Sequence, residues 1–291
     1  MPKKEILFII NPNSGNKKGA LVADVVDKFL DTNKFNFKVV LTEYAGHAIE
    51  IAKSAVNEKI DCVVAVGGDG MINEVFQSLV NTSTALGIIP FGSGNGVARS
   101  LGIPMNYKLA IKLLNRASIR IIDTGRFNEK PFLGVAGIGF DGLISAEFSR
   151  SASRGLKTYL KLILKNFFNY QSNDYSIEVK DQRIDAKAFI IAFANTNQYG
   201  NNAIIAPNAR VDDGKLDIVI FKDIPKWKIP FVAMKIMNGT IHNSKDVIIL
   251  QNAEVKVSTN ASEAHIDGEP ISTNKENTVH IIPNSLRVMV Q

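Results

Sequence analysis

The sequence predicts an α/β N-terminal domain with a Rossmann-like parallel sheet, followed by a mostly antiparallel β-sandwich domain. Its 291 residues exceed the length at which single hydrophobic cores usually stop growing. Apolar runs alternate with helix-like segments as far as Arg120, whereas many short strand-like segments separated by turns follow from Ile121 onward. The predicted domains are therefore residues 1–122 and 123–291, and the last strand either stays in the second domain or returns to the first.

The N-terminal domain is predicted from continuous apolar runs, which are typical of parallel strands covered on both faces. Helical spacing is clearest in segment 19–30, where Leu21, Val25, Val26, Phe29 and Leu30 share one face. Strands are expected at 6–10, 37–42, 62–66 and 86–90, and helices at 19–30, 47–56, 71–80 and around Arg99.

The C-terminal domain is predicted from short strand-like runs and from turn dipeptides such as Asp213-Gly214 and Asp267-Gly268. Two helical segments interrupt these runs. Strands are expected at 132–136, 175–179, 188–194, 216–221, 247–250, 253–257 and 278–282, a further apolar segment at 285–290, and helices at 156–170 and 229–237.

Composition limits the classes of function. The formal charge of +6 suits anionic partners, namely nucleotides, nucleic acid or an acidic membrane face. The single cysteine, Cys62, lies in an apolar run and cannot form an intrachain disulfide, which fits a reducing compartment. No stretch reaches the roughly 18 apolar residues of a membrane span. We therefore expect a cytoplasmic protein whose membrane contact is peripheral.

Three glycine- or asparagine-rich loops follow three predicted strands. They are Asn11-Pro12-Asn13-Ser14-Gly15, Gly67-Gly68-Asp69-Gly70 and Gly92-Ser93-Gly94-Asn95-Gly96. Because ligands of parallel sheets bind at the carboxyl ends of the strands, these loops are expected to gather at one edge. Glycines let the backbone approach a ligand, and the helix after Gly70 offers N–H groups to phosphate. Asp69 either contributes to a magnesium shell or orders its loop.

Other sites are not indicated. The first loop lacks the Gly-Lys-Ser/Thr ending of a Walker A motif, and neither glycine loop matches the dinucleotide fingerprint. The four histidines show no metal-ligand spacing, and no hydrolytic triad stands out.

In these motifs the sequence resembles the catalytic family of diacylglycerol kinases, which shares its nucleotide-binding fold with NAD kinases. Five elements match in order across nearly the whole chain. They are the Asn11 loop, the Gly67 loop with Asn73-Glu74, the Gly92 loop with Arg99, Asp212-Asp213-Gly214, and Asp267-Gly268-Glu269. The resemblance implies an ATP- and Mg²⁺-dependent kinase that phosphorylates a lipid hydroxyl of the diacylglycerol or sphingoid type.

The resemblance also implies a role for each matching position. It places Glu269 as the catalytic base, and Asp69 and Asp123 in the catalytic set. Asp213 would bind magnesium with the main-chain carbonyls of Arg210 and Lys215. The nucleotide would be bound by Asn11, Asn13, Ser14, Gly15, Thr42, Gly67, Gly68, Asp69, Gly70, Asn73, Gly92, Ser93, Gly94, Asn95 and Arg99.

Three positions differ from the usual family pattern. Met71 stands where a threonine usually follows the Gly-Gly-Asp-Gly loop, and Ser93 where threonine is frequent. Gly96 stands where some members have aspartate. The Met71 and Gly96 differences affect our expectation for nucleotide affinity and leave every implied catalytic group in place.

The residues also support these roles without the resemblance. Glu269 follows a turn dipeptide, from which a carboxylate can project into a cleft and accept a proton from an alcohol. Asp213 lies in a sequence that is either a plain turn or, through its paired carboxylates, a site for a hard cation. For segment 137–142 the resemblance implies the strand-to-helix connection that leads into the lipid-binding region, whereas the residues by themselves are also compatible with a structural turn.

Two other functions stay open, a kinase for a soluble acceptor such as NAD and a non-catalytic nucleotide- or lipid-binding module. The expected partner is a lipid at a membrane surface, with no nucleic acid, and a homodimer is left open. Segment 155–170 carries Lys157, Lys161 and Lys165 on one helix face, and Arg150 and Arg154 precede it. This pattern is typical of an interfacial membrane helix and of an ordinary surface helix.

Overall fold

The structure, a computed structural model, describes residues 2–17, 19–151 and 155–291. Arg154, which the sequence placed in the basic series before the second-domain helix, lies outside these residues. The chain forms two compact units. The first comprises Met1–Asp123 and Asn284–Gln291, and the second comprises Thr124–Pro283.

The helices and strands are numbered in chain order. The strands are β1 Lys4–Ile10, β2 Phe35–Leu41, β3 Cys62–Gly67, β4 Ala85–Pro90, β5 Ser118–Phe127, β6 Lys130–Phe132, β7 Val135–Gly139, β8 Asn173–Val179, β9 Gln182–Ala194, β10 Leu216–Lys222, β11 Val247–Asn252, β12 Glu254–Thr259, β13 Glu263–Ile266, β14 Glu269–Ser272 and β15 Glu276–Val290. The helices are α1 Ser14–Lys17, α2 Val26–Phe29, α3 His47–Asn57, α4 Asp69–Leu79, α5 Gly96–Ser100, α6 Tyr107–Leu114, α7 Phe140–Arg150, α8 Leu156–Phe167 and α9 Ile229–Met237.

The first unit is built on a parallel sheet with the order β2-β1-β3-β4-β15. Strands β3 and β4 are buried along their whole length because helices cover both faces. α4 packs its apolar face, which includes Val75 and Phe76, toward β3 and β4. The Glu74 carboxylate of α4 accepts the Ala48 N–H at the start of α3, 3.3 Å away, and so ties the two helices together.

The second unit is a β-sandwich in which β9 belongs to both layers. The first half of β9 pairs with β8, and β12 and β15 extend that layer. The second half of β9 pairs with β7 and β10, and β13, β14 and β11 extend the other layer. These pairings are all antiparallel, and two-residue turns join β8 to β9 and β13 to β14.

Two cores form on opposite sides of the layer that holds the second half of β9. Because side chains alternate along a strand, Ile191 and Phe193 point into the sandwich, whereas Ala192 and Ala194 point to the outer face. Val232 of α9 packs on that outer face. The predicted fold class, a Rossmann-like α/β region followed by an antiparallel β-sandwich, is confirmed.

Segment 19–30 is not the single helix that its spacing predicted. It forms a 3-10 turn, Gly19–Val22, followed by the short α2, and Val25 between them has φ −127° and ψ −3°. Glycine and β-branched residues are weak helix formers, so tertiary packing decides this segment. A Cβ atom on Gly19 would lie 2.3 Å from the Asn11 carbonyl oxygen, which shows how closely the turn approaches the first loop.

Two strand predictions also need correction. Segment 132–136 is divided between β6 and β7, because the N–H groups of Leu133 and Gly134 donate to the Asp267 carboxylate instead of a neighbouring strand. Segments 278–282 and 285–290 are one strand, β15. Asn284, with φ 52°, donates its N–H to the Asp123 carboxylate in the middle of that strand. Helix α8 ends at Phe167, three residues before the predicted end at Tyr170.

Among the described residues, no helix combines the length and apolar character needed to cross a membrane.

Phe193 gives a test of the sandwich core. Its ring is completely buried and makes an edge contact with Phe127, with 6.1 Å between ring centroids. Phe193→Ala should lower the free energy of unfolding by about 3–5 kcal/mol, the cost of removing a buried phenyl group. Chemical denaturation measures this loss. The same substitution at the exposed Phe231 is the control and should change stability by less than about 0.5 kcal/mol.

Candidate active site

Three loops of the first unit meet at the carboxyl ends of β1, β3 and β4. The Asn11 N–H donates to the Val66 carbonyl oxygen at 3.1 Å, and the Phe91 N–H donates to the Gly67 carbonyl oxygen at 2.7 Å. The loops therefore continue the hydrogen bonding of the parallel sheet beyond the ends of its strands. This is the edge at which the sequence placed a nucleotide.

Glycine at two positions allows the second and third loops to touch through their backbones. A Cβ atom on Gly92 would lie 2.6 Å from the Gly68 Cα atom, and one on Gly68 would lie 3.1 Å from the Gly92 Cα atom. Gly15 in the first loop has φ 57°, and a side chain there would also meet the Phe91 ring at 2.8 Å. The three loops thus form one compact cradle that only small residues permit.

The Asp69 carboxylate holds the second loop to the third. Its Oδ2 atom accepts the Asn95 N–H at 2.7 Å, and its Oδ1 atom accepts the Gly96 N–H at 2.9 Å. Asn95, in the left-handed region with φ 52°, makes two further bonds to the backbone of Gly92. These bonds support the loop-ordering role, and the magnesium role stays a prediction.

The other predicted nucleotide-site residues surround this cradle. Asn11 organises the first loop, because its Oδ1 atom accepts the Asn13 N–H and its carbonyl oxygen accepts the Ser14 hydroxyl. The Thr42 N–H donates to the Ile10 carbonyl oxygen beside that loop. Arg99 donates through Nε to the Gly94 carbonyl oxygen, and the third loop exposes Ser93.

Helix α4 begins inside the cradle, with Gly68 as its N-cap and Asp69 and Gly70 in its first turn. Because the N-cap residue is glycine, it has no side chain to cap this helix end. Met71, one of the three residues that differ from the family pattern, is buried and packs against Gly67. Asn73 is also buried, and its Oδ1 atom accepts the Gln77 Nε2–H at 2.5 Å.

Asp123, predicted as part of the catalytic set, is almost completely buried. Its Oδ1 atom accepts the Asn284 N–H at 2.7 Å, which joins β5 to β15. The geometry therefore gives this carboxylate a role in holding the backbone.

Glu269 lies at the tip of a tight hairpin in the second unit. Asp267 and Gly268, which join β13 to β14, have φ values of 49° and 85°, the left-handed pair that a type I′ turn requires. The Asp267 carboxylate accepts the N–H groups of Leu133, Gly134 and Val135 at 2.8, 2.7 and 3.1 Å. Glu269 is exposed and directly follows this anchored turn.

A buried polar network supports the same turn. The Gly268 N–H donates to Nδ1 of His265, whose Nε2 atom lies 3.0 Å from the Asp141 carboxylate. This pattern puts the imidazole hydrogen on Nε2. The Tyr199 hydroxyl donates to the same Asp141 oxygen at 2.8 Å, and burial together with Asp141 raises the pKa of Tyr199 well above its usual value.

Sequence reasoning did not identify this network. Asp141 belongs to segment 137–142, and that segment is the strand-to-helix connection from β7 to α7. His265 gave no signal, because its partners are distant in the sequence. The Ser145 hydroxyl of α7 also donates to the Gly268 carbonyl oxygen, at 2.5 Å.

The predicted metal residues lie in a turn before β10. Asp213 is partly exposed, and its Oδ1 atom accepts the Lys215 N–H at 3.1 Å. Arg210 forms an ion pair with Asp212, with 3.7 Å between nitrogen and oxygen. The buried Asp217 follows, and burial raises its pKa to about 6.

The donor atoms of this turn fit magnesium in type. Mg²⁺ prefers oxygen ligands, keeps several waters, and is usually held by one or two carboxylates together with substrate phosphates. Within the described residues, no group of three or more His, Cys, Asp and Glu side chains is placed to hold a metal. Asp213 with main-chain carbonyls of Arg210 and Lys215 would therefore form a partial site that water and phosphate complete.

Comparison with known proteins gives a consistent result. Residues 5–127 match the family model "Diacylglycerol kinase catalytic domain", and residues 134–290 match "YegS C-terminal NAD kinase beta sandwich-like domain". A diacylglycerol kinase of Bacillus subtilis is 29% identical over 280 residues, which cover 91% of this chain and 90% of that protein. A diacylglycerol kinase of Mycobacterium tuberculosis is 27% identical over 95% of this chain and 84% of its own length.

The fold is also known from experiment. A crystal structure of a Bacillus anthracis protein superposes with a TM-score of 0.82 at 24% identity, covering 99% of this chain and 97% of that chain. The two family models together account for nearly the whole sequence. The protein is therefore a kinase that belongs to the family of diacylglycerol kinases and related lipid kinases.

Proposed function

We propose that the protein transfers the γ-phosphoryl group of ATP to the hydroxyl group of a lipid of the diacylglycerol or sphingoid type. The observation that carries the proposal is Glu269, an exposed carboxylate at a type I′ turn that the Asp267 carboxylate and the His265 imidazole hold in place. Phosphoryl transfer depends mainly on positioning, with one residue to orient the acceptor and accept its proton. A rigidly presented glutamate suits that task.

The glycine cradle of the first unit would bind the nucleotide. Its loops bring backbone N–H groups and the uncapped start of α4 to one edge of the sheet, an arrangement that favours phosphate. Asp69 keeps the loops together and points its oxygens at backbone N–H groups, which reduces its repulsion of the phosphates.

In the proposed reaction, an oxygen–phosphorus bond forms between the lipid hydroxyl and the γ-phosphorus. The bond between that phosphorus and the β–γ bridging oxygen breaks, and ADP leaves. Glu269 accepts the hydroxyl proton. Magnesium bound at Asp213 would supply positive charge close to phosphate oxygens.

A kinase for a soluble acceptor is the second candidate, since the β-sandwich model that matches the second unit is NAD-kinase-like. The lipid kinase is favoured because two relatives that match over 90% of the chain are named diacylglycerol kinases. Incubation of the protein with labelled ATP, Mg²⁺, NAD and a total lipid extract separates the two. The lipid kinase transfers label to the organic phase, where mass spectrometry identifies the acceptor. Label found only in water-soluble NADP contradicts the proposal.

Glu269→Gln tests the proposed base. The substitution keeps the shape and removes the proton-accepting carboxylate, so turnover should fall about a hundredfold or more. ATP affinity and melting temperature should stay unchanged. Glu254→Gln, at another exposed glutamate that begins a strand of the same unit, is the control. Turnover of the Glu269 variant within about threefold of the wild type contradicts the role.

Asp69→Ala tests the cradle. Loss of the carboxylate leaves the Asn95 and Gly96 N–H groups without this acceptor, so the third loop should lose its order and Mg-ATP affinity should fall about tenfold or more. Calorimetric titration measures the affinity. Asp27→Ala, at an exposed aspartate of α2, should leave it unchanged. An unaltered affinity in the Asp69 variant would exclude the role assigned to this residue.

We also propose that α8 contacts the membrane surface that holds the substrate. Lys157, Lys161 and Lys165 are exposed, and so are Leu160 and Leu164 beside them. The inward face is marked by Tyr159, whose ring meets Phe148, and by Asn166, which donates to the Glu147 carboxylate. Exposed leucines next to lysines favour an interfacial helix over an ordinary surface helix.

Replacement of Lys157, Lys161 and Lys165 by glutamine tests this contact. Each lysine near an anionic surface contributes about 1 kcal/mol, so binding to phosphatidylglycerol vesicles should fall by about a hundredfold. Vesicle co-sedimentation at low salt measures it. The control makes the same charge change at the exposed Lys130, Lys180 and Lys256 of the same unit. Equal loss in both triple variants would show a general charge effect and contradict a specific role for α8.

A further inference from the structure

The large exposed apolar side chains of the second unit are concentrated on two helices. In the described part of this unit there are seven of them, each between 49% and 68% exposed. All lie on or directly beside α8 or α9; they are Leu160, Leu164, Phe168, Trp227, Phe231, Met234 and Met237. Scattered apolar residues are ordinary on a protein surface, whereas a concentrated group marks an interaction site.

Helix α9 has apolar residues on both of its faces. Val232 is buried and Ile236 packs against the outer core of the sandwich. Trp227, in the 3-10 turn before the helix, Phe231 and Met234 follow at spacings of four and three residues, which places them along one exposed stripe. An ordinary surface helix would carry polar residues on that stripe.

The charged side chains within the two helical segments are all positive. Segment 226–240 contains three lysines and no acidic residue, and segment 155–170 also contains three lysines and no acidic residue. These six positive charges equal the formal net charge of the whole chain, +6. Lys226 joins the two helices, because its ammonium group donates to the Phe168 carbonyl oxygen at the end of α8.

Two lysines of this segment are held at its edge by neighbouring residues. The Lys228 ammonium group lies 3.2 Å from an Asp246 carboxylate oxygen, and the Lys235 ammonium group donates to the Asn243 carbonyl oxygen at 3.2 Å. Lysines that border an apolar surface in this way are suited to the boundary between lipid headgroups and acyl chains.

We propose that residues 226–237 form a membrane anchor, whose Trp227, Phe231 and Met234 side chains insert into the interfacial layer of an anionic bilayer. The inference rests on the proposed function, since it gives the lipid kinase a second membrane contact beside α8. Tryptophan is enriched at membrane interfaces because its ring is apolar and its N–H is polar. The unbranched methionines adapt to a disordered surface.

A second copy of this chain fits the stripe less well than a bilayer does. A two-fold dimer would place the same patch on both subunits. Lys226, Lys228 and Lys235 would then face their own copies, with only positive charge in segment 226–240 of either subunit. An anionic membrane presents negative charge to all three lysines, whereas within this chain Lys228 alone of the three has a described ion pair, with Asp246.

Trp227 is the only tryptophan of the chain, so tryptophan fluorescence reports the environment of this segment alone. Fluorescence of the full-length wild type is measured without ATP as phosphatidylglycerol vesicles are added. We expect the emission to shift to shorter wavelength and to be quenched by lipids with brominated acyl chains. Unchanged emission overturns the proposal, whether or not the protein co-sediments with the vesicles.

A double variant tests how much the exposed apolar stripe contributes to the free energy of vesicle binding. Phe231→Ser with Met234→Ser should weaken vesicle binding about tenfold or more. The withdrawal of one large apolar side chain from water already raises affinity by about tenfold. Leu109→Ser, at a comparably exposed leucine of α6 in the first unit, is the matched control and should bind as the wild type does. Equal vesicle binding by the double variant and the wild type overturns the proposal.

Two other results, dimerisation through the stripe and membrane binding without lipid phosphorylation, are told apart by separate measurements. Sedimentation velocity without lipid shows whether the wild type is a dimer that the double variant dissociates, and that result would assign the stripe to a second copy. Because the vesicle measurements contain no ATP, a wild type that binds vesicles through Trp227 but phosphorylates no lipid would contradict the proposed function and leave the anchor intact.

Discussion

The hydrogen bonds between the Asp267 carboxylate and three successive backbone N–H groups are the constraint on which the candidate catalytic residue depends. The acceptor lies in the turn between β13 and β14, and the donors are Leu133, Gly134 and Val135 at the break between β6 and β7. One side chain thus interrupts a strand, fixes the hairpin and sets the position of Glu269. Charge-assisted bonds of this kind are stronger than those between neutral groups, which suits a site that must stay rigid.

In the first unit, too, aspartate carboxylates accept hydrogen bonds from backbone N–H groups. Asp69 accepts two N–H groups of the third loop, and Asp123 accepts the N–H of Asn284 in β15. Both aspartates were predicted for the catalytic set, and both accept hydrogen bonds from the backbone. Of the carboxylates predicted for the site, Glu269 is exposed and Asp213 is partly exposed.

A lipid substrate would place a physical requirement on the surface of the second unit. A lipid stays in its bilayer, so an enzyme that phosphorylates it must reach the interface. In the proposed membrane contact, lysines and exposed apolar side chains on α8 and α9 would combine electrostatic attraction with insertion into the bilayer.

The sequence by itself determined the fold class, most of the elements, the three polar loops at one sheet edge and the turn that carries Glu269, because these follow from local periodicity and turn chemistry. It did not determine the division of segment 132–136, the unbroken β15 or the network of Asp141, Tyr199 and His265. It also could not decide that Asp69 orders its loop or that Leu160 and Phe231 face outward. Each of these depends on partners distant in the chain, and only tertiary packing brings such partners together.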